Sequence, residues 1–174
     1  FQVTEIHVPG PNVGDVAGRV RVQDNNSTLP RDRVFFDYNY FHNVPFTANG
    51  IDVNRFTPGV EKTFWSGMAS LEVRVPMAVT FNTTQSLAAG PDANKGEFGD
   101  LALISKFLLT SNDTCALAAG MAVALPTADN YELYGINGDK ILEIENDSVH
   151  LIPFLAFLYT PERSNYFVQS FITV

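Results

Sequence analysis

Cysteine is nearly missing from this sequence, and Cys115 alone can form neither an intrachain disulfide nor a multi-cysteine metal site. Set inside an apolar run, it reads as a small buried hydrophobe. Basic residues are also scarce: 11 Lys and Arg stand against 19 Asp and Glu, for a net charge of -8. A phosphate backbone is gripped by a basic face, so nucleic acid is excluded as a partner. No run of about 18 uninterrupted apolar residues occurs, which excludes a membrane-spanning helix.

Catalytic signatures are lacking in the same way. His7, His42 and His150 lie far apart, with no His-Glu-x-x-His spacing, no Gly-x-Ser-x-Gly elbow and no phosphate-cradling Gly-x-x-x-x-Gly-Lys-Ser/Thr loop. The loop 90–100 groups Asp92, Asn94 and Glu97 without EF-hand spacing and reads as a solvated turn. The expectation is therefore no enzyme, no catalytic residue, no cofactor and no metal. Phe1 opens without Met or a basic-then-apolar leader, which predicts a processed or partial chain.

What is present is strand grammar. The 174 residues are 45% hydrophobic and 17% charged, enough for one folded core, and fourteen Phe with six Tyr suit pleated surfaces. Residues 1–32 carry Pro9-Gly10-Pro11, Gly14, Gly18 and a polar run from Gln23 to Thr28, and read as a loop-rich N-terminal segment. From Arg33 the chain alternates with period two. In 33–44, Val34, Phe36, Tyr38 and Tyr40 oppose Asp37, Asn39 and Asn43; in 54–65, Phe56, Val60 and Phe64 oppose Arg55, Thr57, Glu61 and Thr63. In 70–81, Leu71, Val73, Val75, Met77, Val79 and Phe81 oppose Ser70, Glu72, Arg74 and Thr80.

The stretch GDLALISKFLLTSNDTCALAAGMAVALPTAD, 99–129, divides into two strands about the turn Ser111-Asn112-Asp113-Thr114. Its first half sets Leu101, Leu103, Phe107 and Leu109 against Asp100 and Lys106; its second alternates large residues with Ala116, Ala118, Gly120, Ala122 and Ala124. Two further runs, 148–159 and 165–174, meet across 160–164. The run 148–159 is apolar on both faces and suits a doubly buried strand as well as a lipid-facing one. Pro58, Pro76 and Pro153 fall inside proposed strands, where each removes a ladder donor and demands an edge or a bulge.

Connections alternate in length: after an intermediate one at 45–53 they are short at 66–69, 111–114 and 160–164 and long at 82–98 and 126–147, the last containing the turn dipeptide Asn137-Gly138. An up-and-down barrel of the outer membrane has tight turns at one end and long loops at the other. The expected fold is all-β, an antiparallel up-and-down transmembrane β-barrel over 33–174. About seven strands are visible, fewer than the roughly eight of the smallest bacterial barrel, so an incomplete portion is expected. Hydrocarbon tolerates no open edge, so other barrel chains or the remainder of the same chain would complete the wall.

A resemblance points the same way. The Gly-Asp-Leu start, the polar turn and the Leu-Pro-Thr-Ala-Asp end of 99–129 resemble bacterial outer-membrane barrels grouped as phenol meta-pathway transporters. PRDRVFFDYNYFHNV, VNRFTPGVEKTF and VHLIPFLAFLYTPERSNYFVQSF resemble planctomycete members of that group, with Ala128 where the group usually has Gly. The resemblance covers Pro30 to the C-terminus and implies an outer-membrane barrel with a pore or transport role, and no catalytic residues.

The polar strand residues Asp37, Asn39, Arg55, Glu61, Glu72, Arg74, Asp100 and Lys106 are the candidate pore-lining set. Two arrangements suit them: a charge-selective wet path, or internal salt bridges that fill a narrow interior. The expected function is a porin-like passage for small solutes in the bacterial outer membrane, with its lipid as the surrounding partner. The alternatives are an architectural outer-membrane barrel within a surface assembly and a soluble β-sandwich binding module.

Overall fold

The computed structural model describes residues 21–44, 51–79, 84–86, 96–162 and 165–173. Twelve strands follow in chain order: β1 (Arg33–Val44), β2 (Ile51–Phe64), β3 (Ala69–Arg74), β4 (Met77–Val79), β5 (Thr84–Ser86), β6 (Gly96–Phe98), β7 (Leu101–Ser111), β8 (Cys115–Leu125), β9 (Tyr131–Tyr134), β10 (Lys140–Ile144), β11 (His150–Tyr159) and β12 (Val168–Thr173). A 3-10 turn spans Trp65–Gly67, and the described residues contain no α-helix.

Nine of these strands form one antiparallel sheet in the order β12-β11-β8-β7-β3-β2, continuing through β4 and β6, with β1 alongside β2. β3 and β4 both pair with β2 and run end to end across Val75–Pro76; β6 and β7 run end to end across Gly99–Asp100. The nine strands thus make seven staves, each antiparallel to its sequence neighbour. They curl into an open half-barrel, the all-β up-and-down arrangement that the alternation implied.

The prolines explain the interruptions. Pro58 accepts a hydrogen bond from Val75 N at 3.0 Å, so it lies against the gap between β3 and β4, where Pro76 also sits. Pro76 O accepts from Gly99 N at 2.8 Å, which ties the break between β3 and β4 to the break between β6 and β7. Pro153 lies one residue before the described pairing of β11 with β12, which covers Phe154–Tyr159.

The short connections gather at one end. There, Trp65 (φ 51), Ser66 (φ 56) and Gly67 (φ 84) turn the chain from β2 to β3, and Asn112 accepts from Thr114 and Cys115 to close the β7–β8 turn. Ala69, expected in the first of these turns, already belongs to β3. The opposite end holds the long connections, and these are less bare than the polar sequence suggested. β5, β9 and β10 form a separate three-stranded sheet there, with β5 parallel to β9. Asn137-Gly138 does form a turn, joining β9 to β10, with Gly138 at φ 82. The Gly-Asp-Leu start of β7 is clasped by the chain leaving β8: Thr127 Oγ1 accepts from Leu101 N at 2.8 Å and donates to Gly99 O at 3.2 Å.

Side-chain polarity is inverted across the sheet. One outward row runs Val34, Val60, Val73, Leu103, Val123 and Leu151 in register over six strands, from 85% exposed at Val34 to 61% at Leu151. The adjacent inward row runs Arg33, Glu61, Glu72, Ile104, Ala122 and Ile152. β11, apolar on both faces, exposes Leu151, Leu155 and Phe157 outward and buries Phe154 and Ala156 inward. Cys115 is half-buried rather than enclosed.

Curvature depends on close approach at Gly120. It faces Phe154 in register, and a Cβ there would meet both the Phe154 ring and the carbonyl of Ser105. A backbone carbonyl yields less readily than a side chain, so Gly120→Ala is expected to cost about 1 to 3 kcal/mol of folding stability by overpacking. Denaturant titration of the variant against the parent checks this.

Candidate lumen-facing site

The concave face of β1, β2 and β3 carries charge because period two points Arg33, Glu61, Glu72 and Arg74 the same way. Glu61 and Glu72 are direct cross-strand partners, an arrangement that like charges disfavour. Arg33 resolves it. Its Nε donates to Glu61 Oε2 at 2.7 Å and its Nη2 to Glu72 Oε2 at 2.7 Å. Lys106 Nζ, 3.1 Å away, and Ser70 Oγ, 2.6 Å away, both donate to Glu61 Oε1, while Arg74 Nε donates to Glu72 Oε1. All four carboxylate oxygens are therefore taken, and Arg74 and Lys106 are each 1% exposed.

An aromatic ring supports the cations. Phe35 lies in register with Gly59, and a Cβ at Gly59 would run into the Phe35 ring. The Arg33 guanidinium sits 4.5 Å and that of Arg74 5.5 Å from this ring's centroid, within cation–π range. Arg55, further along β2, lies 5.2 Å from the Phe41 ring centroid and 3.8 Å from Asp24.

The interior is occupied by the chain that precedes β1. Residues Arg21–Leu29 cross the concavity as a strap. Arg74 Nη1 donates to Arg21 O at 3.3 Å, Arg33 Nη1 donates to Asn25 O, and Asn25 Nδ2 donates to Asp37 Oδ1 at 2.8 Å. At the far side, Gln169 of β12 donates to Asn26 O at 3.0 Å and accepts from Thr28 N at 3.3 Å. Val22 is buried among Ile104, Ala118, Ala122, Phe154 and Ala156. Residues 21–32 contain turns and bends and no strand; residues 1–20 lie outside the described residues.

Of the expected pore-lining set, Glu61, Glu72, Arg74 and Lys106 are brought together in one network. Asp37 and Arg55 form a second group around Asp24 and Asn25, and Asn39 pairs with Arg55 in register. Asp100 stands apart: buried, it accepts from Asn146 Nδ2 at 2.7 Å and Ala128 N at 3.2 Å, and so fastens the β8–β11 connection to β7. Asn43's side chain, Thr80, Phe81, Asp92 and Asn94 lie outside the described residues. Sequence reasoning missed Arg33 and Ser70, although both have the parity of the set. It also missed the strap, whose partners lie up to 143 residues away.

No group of three or more candidate metal ligands occurs among the described residues. No family model, no curated protein and no solved structure matches the chain.

Glu61 is the shared member of the network. Glu61→Gln leaves Lys106 and Arg33 short of their counter-charge in the interior, with an expected loss of about 3 to 5 kcal/mol. Lys106→Met should cost clearly less, because Glu61 keeps Arg33 and Ser70. Unfolding midpoints of the two variants in detergent test that order.

Proposed function

We propose that this chain forms wall of a bacterial outer-membrane β-barrel, and that the barrel gives small solutes passive passage along its charged interior. The observation that carries the reading is the inverted polarity: aliphatic and aromatic side chains face out in register while ion pairs face in. A water-soluble sheet gains nothing by exposing Val34, Phe36, Leu151 and Phe157 while burying Lys106. A lipid-facing wall gains on both counts.

Strand length supports it. The eleven residues of β7, at about 3.4 Å each and tilted by about 40°, rise about 28 Å, close to the apolar band of about 25 Å in such barrels. Aromatic residues lie near both ends of the outward face. Tyr38 and Tyr40 donate to Asn54 and Asp52 at one end, and Trp65 lies tilted against Phe107 at the other, 6.0 Å between centroids. Lys62 of β2, two residues from Val60 on the outward face, pairs with Asp32 just before β1. β1 pairs only with β2, and β12 only with β11, among the described residues. A membrane wall therefore needs further strands, from other copies or from more of the same polypeptide. The resemblance to phenol meta-pathway transporters agrees with this reading, which requires no cofactor and no catalytic group.

One observation favours a second reading. The carboxylates are saturated by cations and the strap fills the concavity, which suits an architectural barrel that conducts nothing. Single-channel recording in planar bilayers separates the two: the passage reading predicts discrete conductance steps from the folded, inserted protein, and a silent membrane overturns it.

Membrane residence itself is tested by face. Leu103→Lys puts an ammonium in the outward row and is expected to cost about 2 to 4 kcal/mol near the midplane. Lys106→Leu should leave insertion into liposomes almost unchanged. Equal insertion by both variants, read from heat-modifiable gel mobility, removes the membrane assignment.

A further inference from the structure

We infer that the interior contains a subsite for a small carboxylate, formed by Arg74 and Arg33 over the Phe35 ring and covered in this structure by the strap Arg21–Leu29. The inference rests on the lumen reading above and names the solute class. The network joins three cations, Arg33, Arg74 and Lys106, to two carboxylates, Glu61 and Glu72, leaving one positive charge in excess. No carboxylate oxygen of the pair remains to absorb it.

The surplus is concentrated at the guanidinium tips. Among the described residues, Arg74 Nη1 has only the carbonyl of Arg21, at 3.3 Å, and Arg33 Nη1 only the backbone and side-chain oxygens of Asn25. Arg74 Nη2 is buried with no hydrogen-bond partner among the described residues. These are neutral acceptors, or none, where a guanidinium fork is built to receive two oxygens of one anion. Asp24 and Asp37 do not supply that anion: Asp24 pairs with Arg55, and Asp37 accepts from Asn25. The strap carbonyls thus stand where a carboxylate would bind more strongly. An entering carboxylate takes two of the guanidinium donors and displaces the Arg21–Asn25 turn. The turn is tied to the wall by single hydrogen bonds, Asn25 Nδ2 to Asp37 Oδ1 at 2.8 Å and the two guanidinium contacts that the carboxylate replaces, rather than by a strand ladder. The shared ring holds both guanidinium planes in position whether the turn is seated or displaced.

The test is equilibrium dialysis of labelled acetate against the folded chain in detergent, with chloride as the ionic-strength control. One saturable site per chain is expected. Arg74→Gln should weaken it at least tenfold, and Arg74→Lys should retain part of it. Val22→Ser, which loosens the strap without touching the cations, should tighten it severalfold. Absence of saturable acetate binding by the folded parent, or equal binding by Arg74→Gln, overturns the subsite; unchanged affinity in Val22→Ser overturns the displacement of the strap. A silent bilayer alongside Arg74-dependent acetate binding removes the passage reading and leaves the subsite standing. A conducting barrel without acetate binding does the reverse.

Discussion

Arg33 is the residue on which the interior depends. Glu61 and Glu72 point inward side by side, and no backbone rearrangement separates them without moving every other side chain of β2 and β3 to the opposite face. A guanidinium bonded to both carboxylates converts a repulsive pair into a chain of charge-assisted bonds that Lys106 and Arg74 extend. Desolvating such ions costs several kcal/mol each, and mutual attraction repays this only with near-complete satisfaction of the carboxylates. That condition is met on the acid side of the network and not on the cation side. The imbalance gives the site its chemical character.

The half-barrel has two interiors. Beneath β1–β3 and the middle of β7 it is charged; beneath β8, β11 and β12 it is lined by alanine and Phe154. The strap is matched to both. Its carbonyls and Asn25 meet the cations, Val22 enters the apolar side, and Gln169 ties it to the last strand. The small residues of β8 make room for this: larger side chains at Ala118 and Ala122 would compete with Val22 and Phe154 for the same volume. Two in-register aromatic–glycine pairs, Phe35 on Gly59 and Phe154 on Gly120, let the sheet curl at one position in each half.

Much of this was legible in the sequence, and the physics of alternation says which part. Period two reports the parity of a side chain, so the outward row from Val34 to Leu151 and the inward charges could be read from single strands. The direction of each stave followed from the alternation of long and short connections. Parity carries no information about distance in sequence. Arg33 stood at the head of its strand with the right parity, but its role appears only when Glu61 and Glu72 arrive opposite it. Asp100 shared the parity of the inward set and instead serves a loop, because it lies at a strand break where the ladder no longer dictates direction. The β9–β10 hairpin was hidden because its charged residues blur the alternation: Lys140 bonds to both Glu132 and Glu143, lowering the proton affinity of Glu132 and raising that of Lys140.

The strap was the least legible element, for a reason that bears on how such an interior works. Gln23, Asp24, Asn25 and Asn26 have no periodicity, since a segment that pairs with no strand is under no ladder constraint. Its conformation is set by a few side-chain contacts and one buried apolar anchor rather than by continuous backbone pairing. A segment held in that way opens at lower free energy than the sheet around it, because local stability follows the density of such contacts. The inverted wall and the strap are therefore complementary: the first fixes charged side chains on the concave face, and the second covers them with the neutral oxygens of Arg21 and Asn25.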